Sequence, residues 1–138
     1  MKKPYLQGAL ICERVLEEKD GSLSAIRIVD AVVHRGPSEF TYPVTVLCVV
    51  RTDDSETEVP VRIEMESPSG VLATVTSAAV RGRRQNLIMN TTVTFRQSGL
   101  HWFNVYVNNT LATKIPFTII SASGDNLKIT DSVRGQFS

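Results

Sequence analysis

Cysteine is scarce in this sequence: Cys12 and Cys48 are the only two. Two thiols cannot form the multiple-disulfide framework of a stapled miniature domain. Both sit in apolar, strand-like runs, which fits buried reduced side chains, with a disulfide between them as the alternative. Histidine is equally sparse, with His34 and His101 alone, so no histidine cluster with metal-ligand spacing can form. A dominant charge is missing too. Fifteen basic residues against fourteen acidic ones give a net charge of +1, which supplies no global field to draw in nucleic acid or an anionic membrane. Long apolar runs are absent. No segment approaches the roughly 18 residues of a membrane-spanning helix, and the stretch Gly8 to Cys12 behind the opening Met-Lys-Lys is cut short by Glu13 and Arg14 before it reaches signal-peptide length. These absences predict a soluble protein retained in the cytoplasm. There is also no nucleophile elbow, glycine-rich phosphate loop or clustered set of metal ligands. The expectation is therefore no catalytic residue, no metal and no cofactor.

What the sequence does have is alternation of apolar and polar residues with period two, and enough apolar content, 42% of 138 residues, for one core. Leu6 to Leu16 and Leu23 to Val33 read as two strands joined by a hairpin whose loop is Lys19-Asp20-Gly21. That loop sets Val15 opposite Ala25, Glu13 opposite Arg27 and Ile11 opposite Val29. It leaves Leu10, Cys12, Leu16, Ile26 and Ile28 on the other face, which the pattern marks as the buried one. Phe40 to Arg51 alternates around Pro43, whose missing N–H calls for an edge or for pairing that begins only after it. The acidic connection Asp53 to Glu58 reads as a solvated hairpin tip. Val59 to Ser67, Val71 to Val80, Leu87 to Arg96, Gly99 to Val107 and Leu111 to Ile120 complete the strands.

Eight short strands with turn residues between them, and no helical periodicity, predict an all-β fold: a single antiparallel β-sandwich of immunoglobulin-like or related Greek-key topology. Residues 1–120 form the domain. Residues 121–138 form a C-terminal extension that either docks through Leu127, Ile129, Val133 and Phe137 or stays loose.

The segment Gln97-Ser98-Gly99-Leu100-His101-Trp102-Phe103 resembles the immunoglobulin-like corner pattern Asp-x-Gly-x-Tyr-x-Cys, with His101 at the tyrosine position and Phe103 at the cysteine position. More widely, Ile11-Cys12-Glu13-Arg14-Val15, the Asp20-Gly21 turn leading into Ile26 to Asp30, and the Gly99 to Ile120 hairpin resemble a family of short bacterial β-sandwich proteins of unknown function. The resemblance implies a stand-alone, intracellular sandwich, bacterial or phage-encoded, and brings no catalytic residue with it.

The last hairpin supplies the candidate site. A two-residue turn at Asn108-Asn109 would set Phe103 against Lys114. A three-residue loop, Asn108-Asn109-Thr110, sets Phe103 opposite Ile115 and His101 opposite Phe117, gathering a core on one side, and is the expected arrangement. Trp102, Asn104 and Tyr106 then face the other way beside Lys114, unless the C-terminal extension covers them. Aromatic side chains with a polar handle amid polar groups suit a contact surface. This face is the candidate for a protein partner or self-association, with a carbohydrate-type ligand as the alternative occupant. Arg81, Arg83 and Arg84 form a candidate anion patch. No aromatic residue interleaves with them, which ranks nucleic acid low among partners. His101 is expected to be a structural histidine bonded to backbone at the corner.

Overall fold

The computed structural model describes residues 4–53 and 56–122. Nine strands cross these residues: β1 (Tyr5–Glu17), β2 (Leu23–Ile28), β3 (Ala31–His34), β4 (Phe40–Arg51), β5 (Glu58–Glu66), β6 (Leu72–Arg81), β7 (Arg84–Phe95), β8 (Gly99–Val107) and β9 (Thr110–Ser121). They form two sheets, a four-stranded one in the order β2-β1-β4-β7 and a five-stranded one in the order β3-β9-β8-β5-β6. All neighbours are antiparallel except β3, which runs parallel to β9. With β4 and β7 as strands B and E, and β5, β6, β8 and β9 as C, C′, F and G, this is an immunoglobulin-type sandwich. Strand D has no counterpart among the described residues, so β7 is an edge. The hairpin partner β2 extends the other edge.

The expected single strand Leu23 to Val33 is two strands in different sheets. Arg27, with φ of 55°, lies just before the break, and β3 crosses to pair with the far end of β9. The expected β1–β2 register holds, with Val15 opposite Ala25 and the Val29 N–H donating to the Ile11 carbonyl at 2.9 Å. The expected burial of that hairpin holds only in part, for Cys12 is buried and Leu10 and Ile26 are half-buried. Ile11, with Ala9 and Val29 packed beside it, joins the core, while Leu16 and Ile28 are exposed. Both faces of β1 are apolar, so alternation could not choose between them; the odd positions face in because they pair with Val46 and Cys48, which lie in the core.

One connection also differs from expectation. The link from β4 to β5 passes from one sheet to the other and is not a hairpin tip, and the link from β6 to β7 crosses back. Pro43 lies in an interior strand, yet the pairing of β4 with β1 reaches only to Thr45, so the missing N–H falls where β4 has β7 alone beside it. The expectation of an edge strand, or of pairing that begins only after the proline, is not met: β4 is interior and pairs with β7 from Phe40 onward, with Pro43 opposite Thr92.

The sandwich centre is aromatic. Phe95 from one sheet stacks on Phe117 from the other, with centroids 5.6 Å apart and planes 8° apart. Phe103 meets Phe117 edge-on at 5.5 Å, and His101 meets Phe95 edge-on at 5.1 Å. Val46, Val61, Ile63 and Val105 fill the space around them. Leu127, Ile129, Val133 and Phe137 lie outside the described residues.

Candidate functional site

Asn108 and Asn109 both adopt positive φ, 52° and 65°, and Val107 pairs with Thr110. The hairpin therefore turns through two residues in the manner of a type I′ turn, which matches the twist of the flanking strands and which asparagine tolerates. The expected three-residue loop is incorrect. The register inferred from it is nevertheless right beyond the turn: Tyr106 faces Leu111 but Val105 faces Thr113, so Ala112 is an extra residue, and this bulge brings Phe103 opposite Ile115 and His101 opposite Phe117.

This register places Trp102, Asn104, Tyr106 and Lys114 together on the outer face of the five-stranded sheet. The cross-strand partners bring three charged residues that sequence reading did not assign to the site: Glu66 opposite Trp102, Glu64 opposite Asn104 and Arg62 opposite Tyr106. The alternation of Val59 to Met65 already showed Arg62, Glu64 and Glu66 on one face, but their neighbour across the sheet was not legible. The face is a ladder of its own contacts. Lys114 Nζ donates to Glu66 Oε1 at 3.5 Å, and Asn104 Nδ2 donates to the same oxygen at 3.4 Å. The Lys114 ammonium sits 5.1 Å from the centre of the Trp102 ring, and the Arg62 guanidinium 4.3 Å from that of Tyr106. The Tyr106 hydroxyl bonds to the Glu64 carboxylate, which raises the phenol pKa. Asn104 is buried, although its strand position faces outward, and its Oδ1 has no partner among the described residues.

The outer face of the four-stranded sheet has a different chemistry. Leu10 pairs with Leu47, and Leu47 with Ile88; Cys12 pairs with Ile28 on one side and Thr45 on the other. Leu16 and Ile26 extend this surface along the β1–β2 hairpin. Ile28, Leu16 and Ile88 are 64%, 41% and 37% exposed. Glu13 and Arg27, expected as a cross-strand ion pair, are 3.4 Å apart and mostly solvated, so their attraction contributes only about 0–1 kcal/mol.

The three arginines lie at the junction of β6 and β7. Arg81 is paired with Glu58 at 3.3 Å, the Arg83 carbonyl accepts the Thr52 N–H at 3.0 Å, and Arg84 lies opposite Arg51 at the end of the β4–β7 ladder. Arg83 and Arg84 are exposed. Among the described residues, no three His, Cys, Asp or Glu side chains group closely enough to hold a metal ion. His101 is almost fully buried, and its Nδ1 lies 3.0 Å from the Gly99 carbonyl, to which it donates. That backbone bond was expected. It satisfies one ring nitrogen only, because Nε2 has no hydrogen-bond partner among the described residues.

No curated protein matches the chain in sequence. Among solved structures, it is similar to the alkylpurine DNA glycosylase AlkC of Pseudomonas fluorescens, determined with DNA containing an abasic-site analogue. The TM-score is 0.52 at 8% identity, over 85% of this chain and 30% of the glycosylase. The likeness is one of fold, and the chain spans less than a third of that enzyme. An immunoglobulin-like protein from Pseudomonas aeruginosa aligns with a TM-score of 0.38 at 12% identity, over 86% of this chain and 97% of that one. The family comparison covers most of the sequence: residues 7–120 match the model of a family of unknown function, DUF6941, and the chain belongs to that family.

Proposed function

We propose that this protein is a non-enzymatic interaction module that self-associates through the outer face of its four-stranded sheet. The observation that carries the reading is the contrast between the two sheet exteriors. The face bearing Trp102 and Tyr106 pairs its charges internally, Lys114 with Glu66 and Arg62 with Glu64, although Nε of Arg62 has no hydrogen-bond partner among the described residues. The opposite face carries Leu10, Leu16, Ile26, Ile28 and Ile88 around a buried Leu47, at positions where an antiparallel sheet bordering water commonly turns to polar residues, with Arg14 the exposed charge among them. Exposed apolar side chains gathered on one sheet face, here Ile28, Leu16 and Ile88, favour an interaction site.

Size favours a second copy as the occupant. Strands spaced about 4.8 Å apart and rising roughly 3.3 Å per residue give a face on the order of 600–700 Å². That approaches the roughly 800 Å² per partner of a standard interface. A two-fold pairing of identical faces is the commonest way to cover such a surface.

The test is sedimentation velocity across the micromolar to millimolar range for the wild type, Ile28→Glu, Ile88→Lys and Trp102→Ala. The expected result is a reversible dimer that the first two substitutions dissociate and the third leaves intact. A wild-type monomer at every concentration overturns self-association. Dissociation by Trp102→Ala alone moves the interface to the aromatic face, a second reading favoured by the unpartnered Oδ1 of Asn104. A carbohydrate stacking on that face would first have to displace Lys114 from Trp102 or Arg62 from Tyr106.

A further inference from the structure

Because sheet order ends at β7, the sandwich is open between that edge and β6 of the facing sheet. A cavity of about 360 Å³ lies in this opening, walled by Met65, Val71, Val75 and Val93, with His101 in its lining. Its volume falls at the lower end of the range for small-molecule sites. Side-chain bonds strap it at both ends: Thr91 Oγ1 donates to the Val75 carbonyl at 3.5 Å, and Ser69 Oγ donates to Gln97 Oε1 at 3.2 Å.

Among the polar atoms of the cavity lining, Nε2 of His101 is the buried one that has no hydrogen-bond partner among the described residues. His101 is 1% exposed, and because Nδ1 carries the proton donated to the Gly99 carbonyl, Nε2 is the acceptor of a neutral imidazole. Burial lowers the imidazole pKa, which keeps the ring uncharged. Arg96, the cation in the lining, is paired with Glu39 at 2.6 Å. No free positive charge is therefore offered to an anion.

We propose that this cavity binds a small uncharged molecule with an apolar body and one hydroxyl group, which donates to Nε2 of His101. A phenol is the simplest member of the class. The site is independent of the apolar sheet face, and the two are tested separately.

The probes are phenol and toluene, nearly equal in shape, titrated into the full-length protein with the imidazole ¹⁵N resonances as readout. His34 serves as the internal control, since its Nε2 is already engaged with the Pro37 carbonyl at 2.8 Å. The expected result is saturable phenol binding that shifts Nε2 of His101 and leaves His34 in place. One buried hydrogen bond makes phenol bind about tenfold more tightly than toluene. The His101→Phe variant, which keeps the bulk and loses the acceptor, is expected to abolish that preference. Equal or tighter binding of toluene, movement of His34 alone, or no saturable shift overturns the proposal. The phenol-to-toluene ratio in the wild type decides the matter even if His101→Phe does not fold.

Discussion

Phe95 and Phe117 lie ring on ring, 5.6 Å apart and nearly parallel, and they come from different sheets. The stack ties β7, an edge strand, to β9 of the facing sheet, and both rings are fully buried. Truncating either to alanine removes apolar area and leaves a cavity that the other rings cannot fill. Phe95→Ala and Phe117→Ala are each expected to destabilise the fold by about 3–5 kcal/mol. Leu100→Ala, at an exposed site, is expected to stay within about 0.5 kcal/mol. Urea unfolding midpoints check both.

His101 gives a pH dependence of defined sign. Burial lowers its folded-state pKa below the ordinary 6.5, opposed by its bond to the Gly99 carbonyl. In the unfolded chain the imidazole takes up a proton as pH falls through about 6.5, while the folded protein leaves it neutral until the lower folded value. The unfolded state therefore binds more protons in that window, and stability is present in full above it and declines as pH drops from neutrality. Melting temperatures between pH 7.5 and pH 5.5 are expected to fall for the wild type and to fall less for His101→Gln. A wild-type profile that is flat, or that rises on acidification, contradicts this assignment.

The cysteines are expected to be inert in the native protein. Cys48 pairs with Ala9 and faces the core, whereas Cys12 pairs with Thr45 on the outer side of the same two strands. They point to opposite faces and remain free thiols. Burial pushes the Cys48 thiol up to about 12 and raises that of Cys12 as well, so neither supplies thiolate near neutral pH. Ellman's reagent at pH 8 is expected to leave both unmodified in the folded protein and to titrate two thiols in denaturant. Thermal melts with and without a reducing agent are expected to superimpose.

The hairpin from Gly99 to Ser121 shows how much of the site was legible in advance. Its inward set, Phe103 with Ile115 and His101 with Phe117, followed from asking which register gathers a core. The turn was not legible, because a two-residue turn followed by an extra residue and a three-residue loop give the same pairing beyond Val105. The charged ladder under Trp102 and Tyr106 was hidden as well. Which strand lies beside β8 is decided by packing across the whole sandwich, and β5 brings Arg62, Glu64 and Glu66 into place from far along the chain.

Sequence alone determined the period-two alternation, and with it the all-β class, most strand positions and the near register of the hairpins; these depend on local turn chemistry and on side chains alternating across a pleated strand. Tertiary structure alone decided which of two apolar faces of β1 is the core, that the run after Leu23 splits between sheets, and that β7 is left as an edge above His101. Each of those outcomes rests on pairing between distant strands. An apolar pattern states that a face can be buried, but only the neighbouring sheet determines whether it is.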